Sequence, residues 1–127
     1  MRNFVSIIMS ANPDTMEEKL ASELRLSSLQ AKIFVLVVKK GKMSARDMAE
    51  NLCITEAEAK QIAQSLIDLG GFIDITKTEY ESTHPRFAVV NMYRRMCERE
   101  KIPFKKNLLV DNISIALEKP YDDARTK

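Results

Sequence analysis

Residues 44–71 read SARDMAENLCITEAEAKQIAQSLIDLGG, and this stretch decides the fold. Ser44 is followed by Met48, Ala49 and Leu52, which share one face of a helix, while the outward positions between them are charged or carry an amide. A serine directly before such a face is a typical helix N-cap. The first half of the stretch therefore predicts an amphipathic helix about nine residues long.

The second half of the stretch predicts another helix after a tight connection at Cys53 and Ile54. Thr55 followed three residues later by Glu58 is the signature of a capping box, in which each residue satisfies a free backbone N–H of the other. The apolar stripe behind it has three- and four-residue spacing, and it ends at Gly70 and Gly71. Two short helices joined in this way predict a helix-turn-helix.

Two more helices are predicted before it. Asp14 or Thr15 is positioned to cap a short helix, and Ser27 or Ser28 to cap a longer one that ends at Gly41. The β-branched run from Ile33 to Val38 is also compatible with a strand, but its helical spacing and the lysines at its end favour a helix.

Beyond the helix-turn-helix the periodicity changes. Residues 72–76 predict a strand, residues 77–85 are polar, and residues 86–89 are predicted to be the returning strand of a hairpin. Helix, helix-turn-helix and hairpin, in that order, predict a winged-helix domain over residues 26–90. Its predicted core is listed here: Leu29, Ile33, Leu36, Val37, Met48, Leu52, Ile62, Leu66 and Phe72.

The C-terminal region, residues 91–127, predicts two further helices at about 89–101 and 105–118, the second ended by Pro120. Their apolar stripes exceed what a small winged helix needs to close its own core, so we expect them to hold a symmetric homodimer. The predicted interface consists of Val89, Tyr93, Met96, Leu109, Ile113 and Leu117. In the alternative, both helices fold back on their own domain and an N-terminal segment, Phe4 to Met9 within residues 1–25, fills the gap.

Composition bounds the remaining functions. The 127 residues carry a net charge of +2 and suit one globular domain. Cys53 and Cys97 lack metal-ligand spacing and are expected to be reduced core thiols, and His84, the single histidine, is expected in an exposed loop. Three glycines do not allow a phosphate-binding loop, so we expect neither an enzyme nor a cofactor. The N-terminal apolar run is too short to span a membrane, and a cytoplasmic protein is expected.

Residues 24–41, LRLSSLQAKIFVLVVKKG, resemble the first helix of the archaeal TrmB-type transcriptional regulators, with their pattern LGLSxxEAKVYxxLLxxG. Residues 44–55 resemble the helix-turn-helix of that family, and the likeness extends over roughly residues 24–90. It implies a winged helix that binds DNA. Members commonly carry a long C-terminal effector domain that binds sugars, for which a chain ending at Lys127 has no room, so a ligand-sensing role is not carried over.

Charge is distributed unevenly between these segments. Residues 26–43 carry four positive and no negative side chains, residues 44–76 two positive and six negative, and residues 77–106 eight positive and four negative. The second helix of the helix-turn-helix thus lies in the acidic part, although DNA affinity depends largely on neutralising phosphates. Two interpretations follow: a DNA-binding regulator acting as a homodimer, or a winged helix that contacts another protein.

If duplex DNA is the partner, basic residues before and within the helix-turn-helix and on the wing should contact phosphates, and polar residues of the second helix should approach bases. The predicted phosphate contacts are Lys39, Lys40, Lys42, Arg46, Lys77 and Arg86. The residues predicted to approach bases are Thr55, Lys60, Gln61 and Gln64.

Overall fold

A computed structural model describes residues 15–125 of the chain. Their elements, in order, are α1 (Met16–Leu24), α2 (Ser28–Lys40), β1 (Met43–Ser44), α3 (Ala45–Leu52), α4 (Glu56–Asp68), β2 (Phe72–Asp74), β3 (Glu79–Ser82), α5 (Pro85–Glu100) and α6 (Leu108–Arg125). The predicted architecture, mainly helical with a winged helix-turn-helix and extra C-terminal helices, is confirmed. Asp14 and the segment Phe4 to Met9 lie outside the described residues.

The first four helices begin where local capping chemistry predicts. Each has an N-cap side chain that accepts from the backbone N–H three residues on, and a partner side chain that accepts from the N-cap backbone in return. The pairs are Thr15 with Glu18, Ser27 with Gln30, Ser44 with Asp47, and Thr55 with Glu58. The strand alternative for Ile33 to Val38 is wrong, because the whole run lies inside α2.

The wing differs from the predicted hairpin. β3 lies in the middle of a three-stranded antiparallel sheet, with Tyr80 opposite Met43 of β1 and Ser82 opposite Phe72 of β2. The returning strand is therefore residues 79–82, and the prediction of 86–89 is wrong. In β3 only Tyr80 and Ser82 are buried, so a single apolar side chain marked the strand in the sequence.

Residues 86–89 are helical because His84 and Pro85 start α5 there. The His84 side chain accepts from the backbone N–H of Arg86 over 3.2 Å, and Pro85 takes the first helical position, where its missing N–H costs nothing. The ring of His84 also contacts Tyr121 of α6 and is only half exposed. His84 therefore lies in a loop, as expected, but it is partly buried instead of exposed.

At the other end of the molecule, α6 is longer than predicted. Asn107 caps it by accepting from the backbone N–H groups of Leu109 and Val110, at 2.9 and 3.3 Å. The helix then continues through Pro120, which was expected to end it, as far as Arg125. Proline removes the hydrogen bond to the carbonyl of Ala116 only, and that residue is exposed to water.

One core joins the winged helix to the C-terminal helices. Five of the nine predicted core residues are buried, namely Ile33, Val37, Met48, Leu66 and Phe72, while Leu29, Leu36, Leu52 and Ile62 are partly buried against them. The core continues between α1, α2, α5 and α6. Cys97 lies in it as expected, but Cys53 is exposed, because it occupies the left-handed turn position after α3.

The same core contains most of the residues predicted to form a dimer interface. Val89, Tyr93, Met96, Ile113 and Leu117 are at most 9% exposed in the single chain, whereas Leu109 is 52% exposed. The reason is that α5 and α6 pack against each other and both contact α1. These five side chains are therefore buried within their own domain, as the alternative of two helices folded back on it predicted.

Candidate nucleic-acid interface

Three basic side chains from three separate elements meet beside the start of α4. Arg46 comes from the first turn of α3, Lys60 from the second turn of α4, and Lys77 from the tip between β2 and β3. They line an open cleft of about 240 Å³, which we call the wing cleft. Its other lining residues are Ser44, Ala45, Glu56, Thr78 and Tyr80.

Local hydrogen bonds hold the tip of the wing. The hydroxyl of Thr76 accepts from the backbone N–H groups of Thr78 and Glu79, at 3.2 and 3.1 Å, and the N–H of Ile75 donates to the carbonyl of Glu79 over 3.0 Å. Lys77 stands at the centre of this turn and is exposed. A compact turn therefore presents one cation to the cleft.

The acidic residues of the helix-turn-helix are partly accounted for by the fold itself. Asp47 and Glu58 are the carboxylates of two capping boxes, where they accept backbone N–H groups at 3.2 and 3.1 Å. The positive end of a helix dipole favours carboxylates at these positions. Oε2 of Glu50 lies 3.6 Å from Nε of Arg46, and this carboxylate partly neutralises the positive charge of Arg46.

Glu56 is the acidic side chain that remains in the wing cleft. It lines the cleft together with Arg46, Lys60 and Lys77, so the lining holds three basic side chains and one acidic side chain. Within residues 15–125, no ion pair shorter than 4 Å involves Lys60 or Lys77. Both ammonium groups are thus available to an anion.

The other residues predicted to contact phosphates are distributed differently. Lys39, Lys40 and Lys42 are exposed around the end of α2 and do not line the wing cleft. Arg86 lies in the first turn of α5, where it pairs with Glu118 of α6. Placing Arg86 on the wing was wrong, because the strand that contained it in the prediction is a helix.

Of the residues predicted to approach bases, Lys60 and Gln61 are exposed on α4. The hydroxyl of Thr55 is already engaged with Glu58, accepting from its backbone N–H at 3.0 Å and lying 3.2 Å from its carboxylate. Gln64 donates to Asp68 over 3.4 Å, on the last turn of the helix. The two polar side chains that are exposed without such a contact thus lie in the first half of α4.

The cleft contains residues that the sequence reasoning did not single out. Glu56 was expected to oppose binding unless it, or Glu58, accepts from a cytosine amine. Thr78 and Tyr80 were missed because the returning strand was placed too late in the chain. The motif Thr76-Lys77-Thr78 was the available signal, since a hydroxyl two residues before a backbone N–H favours a tight turn.

No group of three or more His, Cys, Asp or Glu side chains within residues 15–125 is arranged to hold a metal ion. Over the same range, no helix is both long and apolar enough to cross a membrane.

Comparison with known proteins gives one informative result. No protein-family model matches the chain, and no curated protein matches it. A crystal structure of a multiple antibiotic-resistance repressor (MarR) from Listeria monocytogenes has a similar fold, with a TM-score of 0.54 and 18% sequence identity. The match covers 98% of this chain and 91% of the repressor chain. The chain has the winged-helix fold.

Proposed function

We propose that this protein is a winged-helix regulator of transcription that binds duplex DNA through the wing cleft. The observation that carries the proposal is the convergence of Arg46, Lys60 and Lys77, from two helices and the wing, around the start of the second helix of the helix-turn-helix. In this fold, that helix enters the major groove with its N-terminal residues closest to the bases. Cations on both sides of it are then placed to contact the phosphates of the two strands.

The chemistry of α4 supports a division of roles. Arg46 and Lys77 flank the helix and contact phosphates, which positions the protein but carries no sequence information. Lys60 and Gln61 reach base edges, where lysine pairs with guanine and glutamine with adenine. Glu56 suits the exocyclic amine of a cytosine, so the single negative charge of the cleft contributes to specificity instead of opposing binding.

The structural neighbour and the sequence resemblance support the same class of function. The neighbour is named as a repressor, and the resemblance of residues 24–90 is to archaeal transcriptional regulators. Membership of the TrmB-type family stays a prediction, as does the cytoplasmic location that a chromosomal regulator would have. We infer no catalytic activity and no cofactor from the site.

We further propose that the regulator is a homodimer, with an interface revised from the predicted one. Leu108, Leu109 and Ile115 on α6 are 68%, 52% and 56% exposed, and Phe87 on α5 is 68% exposed. Large apolar side chains grouped on one helical hairpin mark a protein contact surface. A two-fold pairing of this surface would present two wing clefts to two half-sites.

The test is the salt dependence of binding to a fluorescently labelled duplex. For the wild type, the logarithm of the affinity should fall linearly with the logarithm of the salt concentration, with a slope of about 0.9 per phosphate contact. Replacing Arg46, Lys60 and Lys77 by Gln should lower the affinity and reduce that slope by about two per protomer, or about one for each of the two lost phosphate contacts.

A matched control removes the same charge elsewhere. Lys19, Lys32 and Lys119 are exposed on α1, α2 and α6, and none of them lines the wing cleft. Their replacement by Gln should leave the slope nearly unchanged. Equal losses in both triple variants, or the absence of any binding by the wild type, would contradict the proposal.

Protein contact remains the second candidate, because of one feature of the wing. Ile73 and Ile75 are 47% and 41% exposed on β2 and just beyond it, and β2 is an edge strand of the sheet. Apolar side chains on a free sheet edge favour pairing with another polypeptide. A wild type that fails to bind duplex DNA at low salt would favour this candidate.

A further inference from the structure

The position of Lys77 depends on β3. This strand begins two residues after Lys77 and lies between β1 and β2, so it carries the wing tip and also holds the sheet together. Tyr80 and Ser82 of β3 point into the domain, while Glu79 and Glu81 point outward. A contact to the outward face of β3 therefore helps to fix the position of the wing relative to α4.

The end of α6 reaches that outward face. Nε of Arg125 donates to Oε2 of Glu81 over 3.0 Å, and Nη2 lies 2.9 Å from the same oxygen. Nη1 of Arg125 donates to the backbone carbonyl of Tyr121 over 2.9 Å, and the guanidinium carbon lies 3.5 Å from the centre of the Tyr121 ring. The guanidinium is thus held on its own helix and also bonded to the wing strand.

The same end of α6 also lies close to the turn between α2 and β1. Gly41, just before β1, has φ +89° and ψ −133°, a conformation that side chains disfavour, and a Cβ built there would lie 3.8 Å from Ala124. The helix reaches this position only because it continues through Pro120. The last turn of α6 therefore lies beside the turn that precedes β1 and is bonded to β3.

The Glu81–Arg125 pair differs from an ordinary surface ion pair. The two side chains are 27% and 22% exposed and join elements 44 residues apart. By contrast, Lys119 and Asp123 are 84% and 59% exposed and lie on one helix, four residues apart. A planar guanidinium restrained by a ring and a carbonyl also loses less freedom on pairing than a lysine does.

We propose that Arg125 is a positioning residue for the wing: it holds β3 through Glu81 and so places Lys77 at the wing cleft. The proposal rests on DNA binding by that cleft. Arg125 does not contact the DNA, and its effect passes through β3 to the tip. Loss of either partner would release the outward face of β3 and let Lys77 move away from the phosphate.

The direction in which one substitution changes the affinity for DNA separates this positioning role from a simple effect of net charge. Glu81→Gln removes a negative charge, which by electrostatics alone would raise affinity for DNA. If Glu81 holds the wing, the same change lowers the affinity and reduces the salt slope by about one per protomer, as expected for the loss of the Lys77 contact. Arg125→Gln should have the same effect, whereas Lys119→Gln, the matched control on the same helix, should not.

Combining each variant with Lys77→Gln tests whether the two changes affect the same DNA contact. A merely structural role of Arg125 would leave the effect of Lys77→Gln on the salt slope unchanged. In the wild-type background, Lys77→Gln should reduce the slope by about one per protomer. In the Glu81→Gln or Arg125→Gln background it should reduce the slope no further, because the contact is already lost. A full additional loss, or a gain of affinity in Glu81→Gln, would overturn the proposal.

The wing can also be followed without DNA. The amide of Ile75, which donates to the carbonyl of Glu79, reports closure of the wing hairpin by hydrogen exchange. Its exchange should accelerate at least tenfold in Arg125→Gln and in Glu81→Gln, and the amides of α2 should keep their wild-type rates. The charge-swapped double variant Glu81→Arg, Arg125→Glu should restore protection if the single variants fold poorly.

The two arms distinguish failure of this proposal from failure of the proposed function. Unchanged exchange of Ile75 in both single variants contradicts the positioning role, whatever the DNA result. Accelerated exchange in a protein whose wild type binds no duplex leaves Arg125 holding the wing, and it removes DNA as the partner.

Discussion

The α3–α4 pair and the α5–α6 pair are both formed by consecutive helices, yet they present opposite surfaces. The structure describes α3 and α4 completely, and neither exposes a large apolar side chain. The α5–α6 pair exposes Phe87, Leu108, Leu109 and Ile115, while most of its other large apolar residues are buried in the chain. The α3–α4 pair presents charged and amide side chains to a partner, whereas the α5–α6 pair also presents large apolar side chains.

This difference indicates that the two pairs serve different partners. A surface that contacts DNA must neutralise phosphates and tolerate water, which suits the polar outer face of α3 and α4. A surface that contacts a second protein chain gains most from burying apolar area. The two proposed partners, DNA and a second copy, are thus assigned to separate surfaces of one small domain.

The largest expected effect tests whether Leu117 belongs to the core of one chain. It is 1% exposed, and Leu117→Ala should lower the free energy of unfolding by about 2–5 kcal/mol, as large-to-small changes in cores do. Urea denaturation at two protein concentrations measures it. Leu109→Ala, on the same helix but 52% exposed, is the control and should cost much less per chain.

If Leu117 were an interface residue instead, its loss would act through association, and the variant would lose the dependence of the denaturation midpoint on protein concentration that the wild-type dimer shows. A cost in Leu117→Ala that equals that of Leu109→Ala would mean that the α5–α6 pair does not close its own core.

The next effect concerns self-association through the exposed stripe of α6. Replacing Leu108, Leu109 and Ile115 by Ser should weaken the proposed dimer about a hundredfold, or about 2.8 kcal/mol at 1.4 kcal/mol per factor of ten. Sedimentation equilibrium at micromolar concentration measures the mass, and circular dichroism checks that the fold is retained. A monomeric wild type, or a dimer that survives the three changes, would contradict the revised interface.

A smaller effect separates capping from base contact at Thr55. Thr55→Ala should cost about 1 kcal/mol of stability because it removes the N-cap of α4, whereas Thr55→Gly should cost only a few tenths. If the hydroxyl acts only as a cap, the glycine variant should bind DNA nearly as the wild type does. Loss of affinity in the glycine variant, with the stability kept, would return Thr55 to the set of base contacts.

The comparison of the two helix pairs also explains which features the sequence was able to predict. Helix starts such as those at Thr15, Ser27, Ser44 and Thr55 follow from hydrogen bonds between residues three apart, so local sequence contains the whole signal. The exposure of Arg46, Lys60 and Lys77 was predictable for the same reason, because each lies opposite or beyond an apolar stripe. Their meeting in one cleft was not, since it depends on the angle between α3, α4 and the wing.

The errors arise where the information is tertiary. The spacing of Val89, Ile113 and Leu117 predicts a buried face but does not say whether the chain itself or a second chain covers it. The burial of a tyrosine and a serine in β3 leaves a weak strand pattern, and so the helix that begins at Pro85 was mistaken for the returning strand. The extension of α6 through Pro120 is stabilised by contacts with the sheet that lie 44 residues away in sequence.

The smallest expected effect concerns the ion pair beside the wing cleft. Arg46 and Glu50 are 3.6 Å apart with side chains 77% and 67% exposed, and exposed pairs four residues apart on a helix contribute only about 0.3–0.5 kcal/mol. Glu50→Gln should therefore change stability by less than about 0.5 kcal/mol, yet raise affinity for DNA, because Arg46 no longer shares its charge with a carboxylate. The control is Asp123→Asn, which breaks the equivalent pair with Lys119 on α6 at a similar cost in stability. It removes the same negative charge outside the wing cleft, so the affinity of this variant should stay close to that of the wild type. Equal gains in the two variants would mean that net charge alone governs binding. The difference between the polar surface of α3–α4 and the apolar surface of α5–α6 would then have no role in recognising DNA.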